Sequence, residues 1–409
     1  METSAVHTSD HVILTIKGTG AITPRRKPMH FIFVLDVSGS MEDEYKLSNS
    51  IRSIEASLQF INEYDYITII AFNHHIKVIA KKIPATERNK EKITNKLIIL
   101  VAEGSTSISA VIEYIGDLIT GDAGGAEGAD MNHGIIFLTD GHPTDGELDY
   151  DSLAALYDEF LSKAININVS AIGYGTDHNA HFLKYMAQEG GGTYSIVNNI
   201  LNVASVFGYV IASLISVTCW DVAVIPSGLV PMTAYNIKNN KEIALGNIAS
   251  EQAVRILFRK CIVGEKMPAI VVKWRDVDGI IDEAPVNITS AGKDDIEMIH
   301  LEKVRYDIYK LMKNMSLGEI RGADIHMKKD SILKKLSELP SDNYDVKLFK
   351  GEVEAIHPLA LNRELYTQKS MCIGHNKGVT IIDGSAVIQS PTPLQEYIVN
   401  SVVKSASQV

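Results

Sequence analysis

Between residues 30 and 215 four short apolar runs alternate with stretches of helical spacing, and this rhythm limits the chain to few folds. The runs are FIFVLD (31–36), YITIIAF (66–72), GIIFLTD (134–140) and INVSAIGYG (167–175). They show little polar alternation, which predicts strands covered on both faces and therefore a mainly parallel sheet. Between the first two, Leu47, Ile51, Ile54, Leu58 and Ile61 recur at steps of 4, 3, 4 and 3, the stripe of a helix packed on a sheet. Strand and helix in alternation predict an α/β, doubly wound, Rossmann-like fold.

Beyond residue 216 the pattern changes to Val, Ile and Thr-rich alternation broken by turn residues (DVAVIPSGLVP, AVRILFRK, AIVVKWRDVDG), which predicts an appended β-sandwich. From 293 to 339 helical spacing returns. Val304, Ile308, Leu311 and Met315 form one stripe and Leu333, Leu336 and Leu339 another, with Gly318 and Gly322 between, so a helical hairpin is expected. The expected division is 1–29, an N-terminal strand (HVILTIKG) pairing with the sandwich; 30–215, the α/β domain; 216–290, the sandwich; 291–345, the hairpin; and 346–409, a tail mixing short strands with Gly and Pro. A chain of 409 residues exceeds what one core usually serves.

Composition narrows the function classes. The formal net charge of −11 argues against a nucleic-acid surface, which needs clustered Lys and Arg. Arg25, Arg26 and Lys27, between Pro24 and Pro28, read as a solvated linker. Cys219, Cys261 and Cys372 form no CxxC pair, so neither a cysteine-based zinc site nor a disulfide framework is expected. The N-terminal METSAVHTSDHVILTIKGTG lacks the basic-then-apolar order of a signal peptide, and a cytoplasmic protein is expected. Residues 203–220 carry no charge, but serines and a threonine dilute them and no basic cluster flanks them. They read as a buried helix running into a buried strand, and no membrane span is expected.

The chemistry concentrates where the first run ends, in DVSGSM. Asp36 closes a buried strand, Ser38 and Ser40 sit in the next loop, and the striped helix follows, so three oxygens can meet at the carboxyl edge of the sheet, where open α/β sheets bind ligands. Helix capping alone would also place a serine there. Two further pieces follow in order: GSTSI puts Thr106 ahead of a helix, and FLTDG puts Asp140 at another strand end.

Together Asp36, Ser38, Ser40, Thr106 and Asp140 resemble the complete metal-ion-dependent adhesion site of von Willebrand factor A domains, over roughly residues 30 to 215. GGGTYSIVNN followed by an apolar helix resembles the family's end. EIALGNIASEQAVRILFRK (242–260) resembles a segment that follows the A domain in inter-alpha-trypsin-inhibitor heavy chains and in plant RING-type proteins with an A domain, although no cysteine pair exists here to build a RING.

The resemblance implies that Ser38 and Ser40 ligate a divalent cation directly, Thr106 in the ligand-ready state, and Asp36 and Asp140 directly or through water. Mg²⁺ is the expected ion, with Mn²⁺ or Ca²⁺ as substitutes. Two carboxylates and neutral hydroxyls leave a hard cation undercompensated, so an Asp or Glu of a protein partner would complete the sphere. The expected function is cation-dependent protein–protein interaction without catalysis. The alternative is a substrate-recognition component of a ubiquitin-ligase-like assembly whose RING sits elsewhere.

Other readings are weaker. A phosphotransferase nucleophile at Asp36 would want an acid at position 38, and DVSGS is not the G-x-S-x-G of a serine hydrolase. GDAGGAEGAD (121–130) lacks the Lys-Ser/Thr of a phosphate loop and reads as a surface loop. His178 and His181, three apart, lack a third ligand and read as helix-surface histidines.

Overall fold

The computed structural model describes residues 1–19, 27–122, 131–164, 166–175, 178–197, 203–232, 242–261, 268–276, 279–320, 322–356, 379–382, 385–388 and 392–407. Arg25, Arg26, the glycine-rich stretch at 123–130 and Cys372 lie outside these. The chain forms two compact units, one of Met1–Ile22 with Ser216–Thr392 and one of Thr23–Ile215 with Pro393–Val409.

Strands β1 (Glu2–His7) and β2 (His11–Lys17) open the chain and belong to the first of these units. The α/β unit then begins with β3 (Met29–Asp36), a short 3-10 segment (Gly39–Tyr45) and α1 (Lys46–Leu58). Next come β4 (Tyr66–Phe72), β5 (Ile76–Pro84), α2 (Glu87–Leu97) and α3 (Ile108–Asp122). It continues through β6 (Asn132–Thr139), α4 (Tyr150–Lys163), β7 (Ile167–Tyr174), α5 (Ala180–Glu189), β8 (Gly191–Val197) and α6 (Val203–Ile215). The strands pair in the order β5-β4-β3-β6-β7-β8, all parallel except the edge strand β5.

All eight residues of β3 are buried, as an unalternating apolar run requires when helices cover both faces of a sheet. In α1 the stripe Leu47, Ile51, Ile54 and Leu58 is buried, and so are Ser50, Ser53 and Ser57. Each of these serines donates its hydroxyl to the carbonyl four residues earlier, at 2.6–2.8 Å, so the helix buries hydroxyls without leaving them unpaired.

The second unit resumes with β9 (Val217–Ser227), β10 (Leu229–Pro231), β11 (Ile243–Ala249), β12 (Ala253–Lys260), β13 (Ala269–Arg275), β14 (Ile281–Val286) and β15 (Ile288–Ser290). One sheet has the order β10-β12-β2-β1-β15 and the other β11-β9-β13-β14. Val12, Leu14, Ile16, Val254, Ile256 and Phe258 from the first share a core with Val222, Val224, Leu245, Ile270 and Val272 from the second. This is a β-sandwich with alternating residues turned inward. The intervening Ile13 and Leu257 are buried against Ile299 of α7 (Lys293–Leu317), so β2 and β12 are covered on both faces.

Helix α7 ends at Gly318, whose left-handed φ of 71° suits a residue without Cβ. Helix α8 (Ala323–Ser337) completes the hairpin. A third helix, α9 (Tyr344–Glu354), was not part of the sequence reading; it adds Val346, Phe349 and Val353 to the same core, and Asn343 caps it by accepting from the Asp345 and Val346 N–H groups. Strands β16 (Val379–Ile382) and β17 (Ser385–Ile388) pair with each other.

The last helix, α10 (Pro393–Ala406), returns to the α/β unit, where Ile398 and Val402 pack on Ala56 of α1 and Ala212 of α6. Helices α1, α6 and α10 form one packed group, and α3, α4 and α5 another. These supply the covering layers of the sheet.

Candidate metal centre

In the α/β sheet the chain leaves β3 toward β4 on one side and reaches β6 on the other. Strand order reverses at that point, and the carboxyl ends of the strands at such a reversal are where open α/β sheets bind ligands. Asp36 is the last residue of β3, Thr139 the last of β6, and Asp140 follows it.

Backbone hydrogen bonds stitch the surrounding loops together. Val37 N–H donates to Phe72 O at 2.8 Å, Glu103 N–H to Val37 O at 2.8 Å, and Gly39 N–H to Gly104 O at 3.0 Å. The loop carrying Thr106 is held from two further sides: Ser107 N–H reaches Asn73 O at 3.0 Å, while Thr144 N–H and Asp145 N–H reach Thr106 O at 2.9 and 3.1 Å. Gly104 has φ +78°, and a Cβ there would lie 2.3 Å from His74 Nδ1, so this tight passage requires glycine.

Four of the five candidate side chains form one connected set. Asp36 is fully buried; its Oδ1 accepts the Ser38 N–H at 2.7 Å and its Oδ2 the Thr139 hydroxyl at 2.5 Å. Ser38 Oγ and Ser40 Oγ are 3.2 Å apart, and Ser40 Oγ donates to Asp140 Oδ1 at 2.7 Å. Thr106, also buried, is tied in through its backbone, its N–H donating to Thr144 Oγ1 at 2.9 Å.

Burial pushes the Asp36 carboxyl up to about 6; the hydrogen bonds from Thr139 and Ser38 oppose this, and the charge of Asp140 adds to it. The Tyr174 hydroxyl lies within electrostatic reach, raised above the usual phenol range by burial first and then by Glu44 and Asp140.

Three contributors escaped the sequence reading. Thr139 looked like an ordinary strand residue, though its place one before Asp140 is a usable signal. Thr144 orients the Thr106 loop. Lys46, the first residue of α1, turns back so that Nζ lies 2.7 Å from Asp140 Oδ2, 3.3 Å from Ser40 O and 5.9 Å from the centroid of the Tyr174 ring.

The histidine reading needs correcting. His181 is exposed, but His178 is fully buried with Nε2 2.6 Å from Tyr194 Oη, in space left by Gly173, where a Cβ would sit 2.1 Å from that nitrogen. Among the described residues no group of three or more His, Cys, Asp or Glu side chains is placed to hold a metal; the candidate set is mostly hydroxyl. Among them too, no helix is long and apolar enough to cross a membrane.

Comparison with known proteins agrees with the fold of the α/β unit. Residues 31–208 match the sequence model of the von Willebrand factor type A domain. Inter-alpha-trypsin inhibitor heavy chain H2 of Mus musculus is 26% identical over 167 residues, 40% of this chain and 17% of that one. This chain thus spans about a sixth of the length of those relatives. The uncharacterized protein YfbK of Escherichia coli is 22% identical over 250 residues, 58% of this chain and 42% of that one. Among solved structures, a von Willebrand factor type A protein from Catenulispora acidiphila superposes with TM-score 0.63 at 14% identity, covering 91% of this chain and 94% of its own. VWA2, an ArnB paralog from Sulfolobus acidocaldarius, superposes with TM-score 0.53 at 15% identity, covering 91% and 96%. Residues 31–208 of this chain are therefore a von Willebrand factor type A domain, a class that generally mediates protein–protein interaction.

Proposed function

We propose that this chain binds a divalent cation, Mg²⁺ or in its place Mn²⁺ or Ca²⁺, at the carboxyl edge of the A-domain sheet and uses it to dock a partner's Asp or Glu. The observation that carries the reading is the connected set Asp36, Ser38, Ser40 and Asp140, with Thr106 fixed beside it by the loop bonds. Two carboxylates and three hydroxyls are hard oxygen donors, which suit these ions better than softer transition metals. The buried Tyr174 hydroxyl fits the same reading, since it has no hydrogen-bond partner among the described residues and lies near Asp140.

Ser38, Ser40 and Thr106 would hold the ion, with Asp36 and Asp140 supplying charge. The bound ion would supply an electrophilic position for a carboxylate from outside. We read the site as non-catalytic, because Asp36 is engaged by Thr139 and Ser38 and no general base is poised in the set. We also place the protein in the cytoplasm; the free thiols of Cys219 and Cys261 support a reducing compartment.

Affinity capture of partners by the full chain tests the reading, run with and without EDTA and repeated with Asp36→Ala. Partners lost under both treatments support it. A partner set unchanged by either would mean that the chain docks through another surface.

A further inference from the structure

Lys46 stands where helix physics disfavours it. The first turn of a helix carries the positive end of the macrodipole, which favours acids and opposes cations. The chain reaches Lys46 through two residues with left-handed backbone, Glu44 at φ 51° and Tyr45 at φ 58°, neither a glycine. What this turn achieves is an ammonium aimed back at Asp140. The Asp140 side chain is fully buried and that of Lys46 is 16% exposed, so the pair is screened far less than a surface ion pair. Both oxygens of Asp140 are engaged, Oδ1 by the Ser40 hydroxyl and Oδ2 by Lys46.

We propose that Lys46 is a built-in competitor of the divalent ion, lowering the site's metal affinity and reserving the loaded site for an anionic partner. This rests on the cation-site reading above. Charge decides the argument. Asp36 and Asp140 bring two negative charges and Lys46 one positive, leaving a net charge of −1 before a divalent ion binds and +1 after it. One partner carboxylate neutralises the loaded site. Without Lys46 the same site would go from −2 to 0: it would attract the metal more strongly and would then take a carboxylate only through the ion's open coordination position, with no net positive charge to strengthen that contact. Lys46 thus trades metal affinity for partner selectivity, and the trade is set on this chain before any partner arrives.

The test is Mn²⁺ binding to the full chain by calorimetry for wild type, Lys46→Met and Lys46→Arg, with acetate binding to the Mn²⁺-loaded proteins followed by electron paramagnetic resonance. Circular dichroism checks the fold, and Lys46→Gln replaces Lys46→Met where the latter does not fold. Removing one unit charge this close to a divalent ion should tighten Mn²⁺ binding by about ten- to a hundredfold. Lys46→Arg should stay within a few-fold of wild type. Acetate should perturb the Mn²⁺ signal at lower concentration in wild type and Lys46→Arg than in the neutral variant. A folded neutral variant that binds Mn²⁺ no tighter than wild type, or takes acetate equally well, overturns the role of Lys46 and leaves the cation site standing. Absence of Mn²⁺ binding in wild type and all variants overturns both.

Discussion

The Thr139 hydroxyl donates to Asp36 Oδ2 at 2.5 Å, joining the ends of neighbouring strands that are 103 residues apart in the chain. Asp36 is fully buried, and a desolvated carboxylate persists as an anion only where donors hold it. Thr139 takes one oxygen and the Ser38 N–H the other.

Thr139→Val should therefore leave a buried carboxylate oxygen short of its donor. The expected cost is on the order of 1–3 kcal/mol in urea unfolding, and Thr139→Ser should recover most of it. Equal stability of the valine variant and wild type would show that the hydroxyl contributes nothing net.

At the opposite edge of the sheet His30 and His133 are register partners on β3 and β6, with Nδ1 atoms 3.2 Å apart, and His30 Nε2 lies 2.7 Å from Thr68 Oγ1. Burial chiefly, then the charges of His133 and Lys82, lower the His30 pKa from 6.5 to about 3. The unfolded chain thus binds a proton at this residue below pH 6.5 that the folded chain refuses until about pH 3. Stability rises with pH across that window and is lost as pH falls through it. Between pH 7 and 4.5 this group alone should remove on the order of 2–3 kcal/mol. His30→Gln should flatten that part of a urea-midpoint against pH curve; an unchanged slope would exclude His30 as its source.

Gly208 of α6 meets α10 closely: a Cβ there would lie 2.8 Å from Val399 Cα. Gly208→Ala gains up to ~1 kcal/mol of helix propensity, but separating two packed helices costs about 1–3 kcal/mol, so net destabilisation is expected. Gly116→Ala in α3 is the control, because its Cβ would make an ordinary 3.6 Å contact with Phe160 and the propensity gain should prevail. Opposite signs in thermal melts are predicted. Equal shifts would contradict the close packing.

Strands β3, β4, β6 and β7 were legible because burial on both faces demands unbroken apolar runs, and α1 because its stripe has helical period. The alternating runs beyond residue 216 and the two helical stripes likewise pointed to the sandwich and hairpin. Strand β5 was not legible: it is an antiparallel edge, IKVIAKKIP, with exposed lysines interrupting its pattern. Helix α10 packs on α6 and α1, roughly 190 and 340 residues earlier in the chain, and local periodicity says nothing of such partners. Sequence separation likewise hid the role of Lys46, whose ion pair spans 94 positions, and so the charge balance of the site was incomplete in the sequence. His178 was misread because the space that buries it is created by Gly173, near the end of β7, where a missing side chain lets the imidazole fold back onto the strand that leads into it.

Titration of the full chain with Mn²⁺ by calorimetry, comparing wild type with Ser38→Ala, Thr106→Ala and Asp36→Ala, tests the central claim most directly. The expected result is one ion per chain for wild type and at least about tenfold weaker binding in each variant, with native circular dichroism, because each removes an oxygen ligand or its charge. Undiminished Mn²⁺ binding in all three folded variants would contradict a cation site at the edge of this sheet.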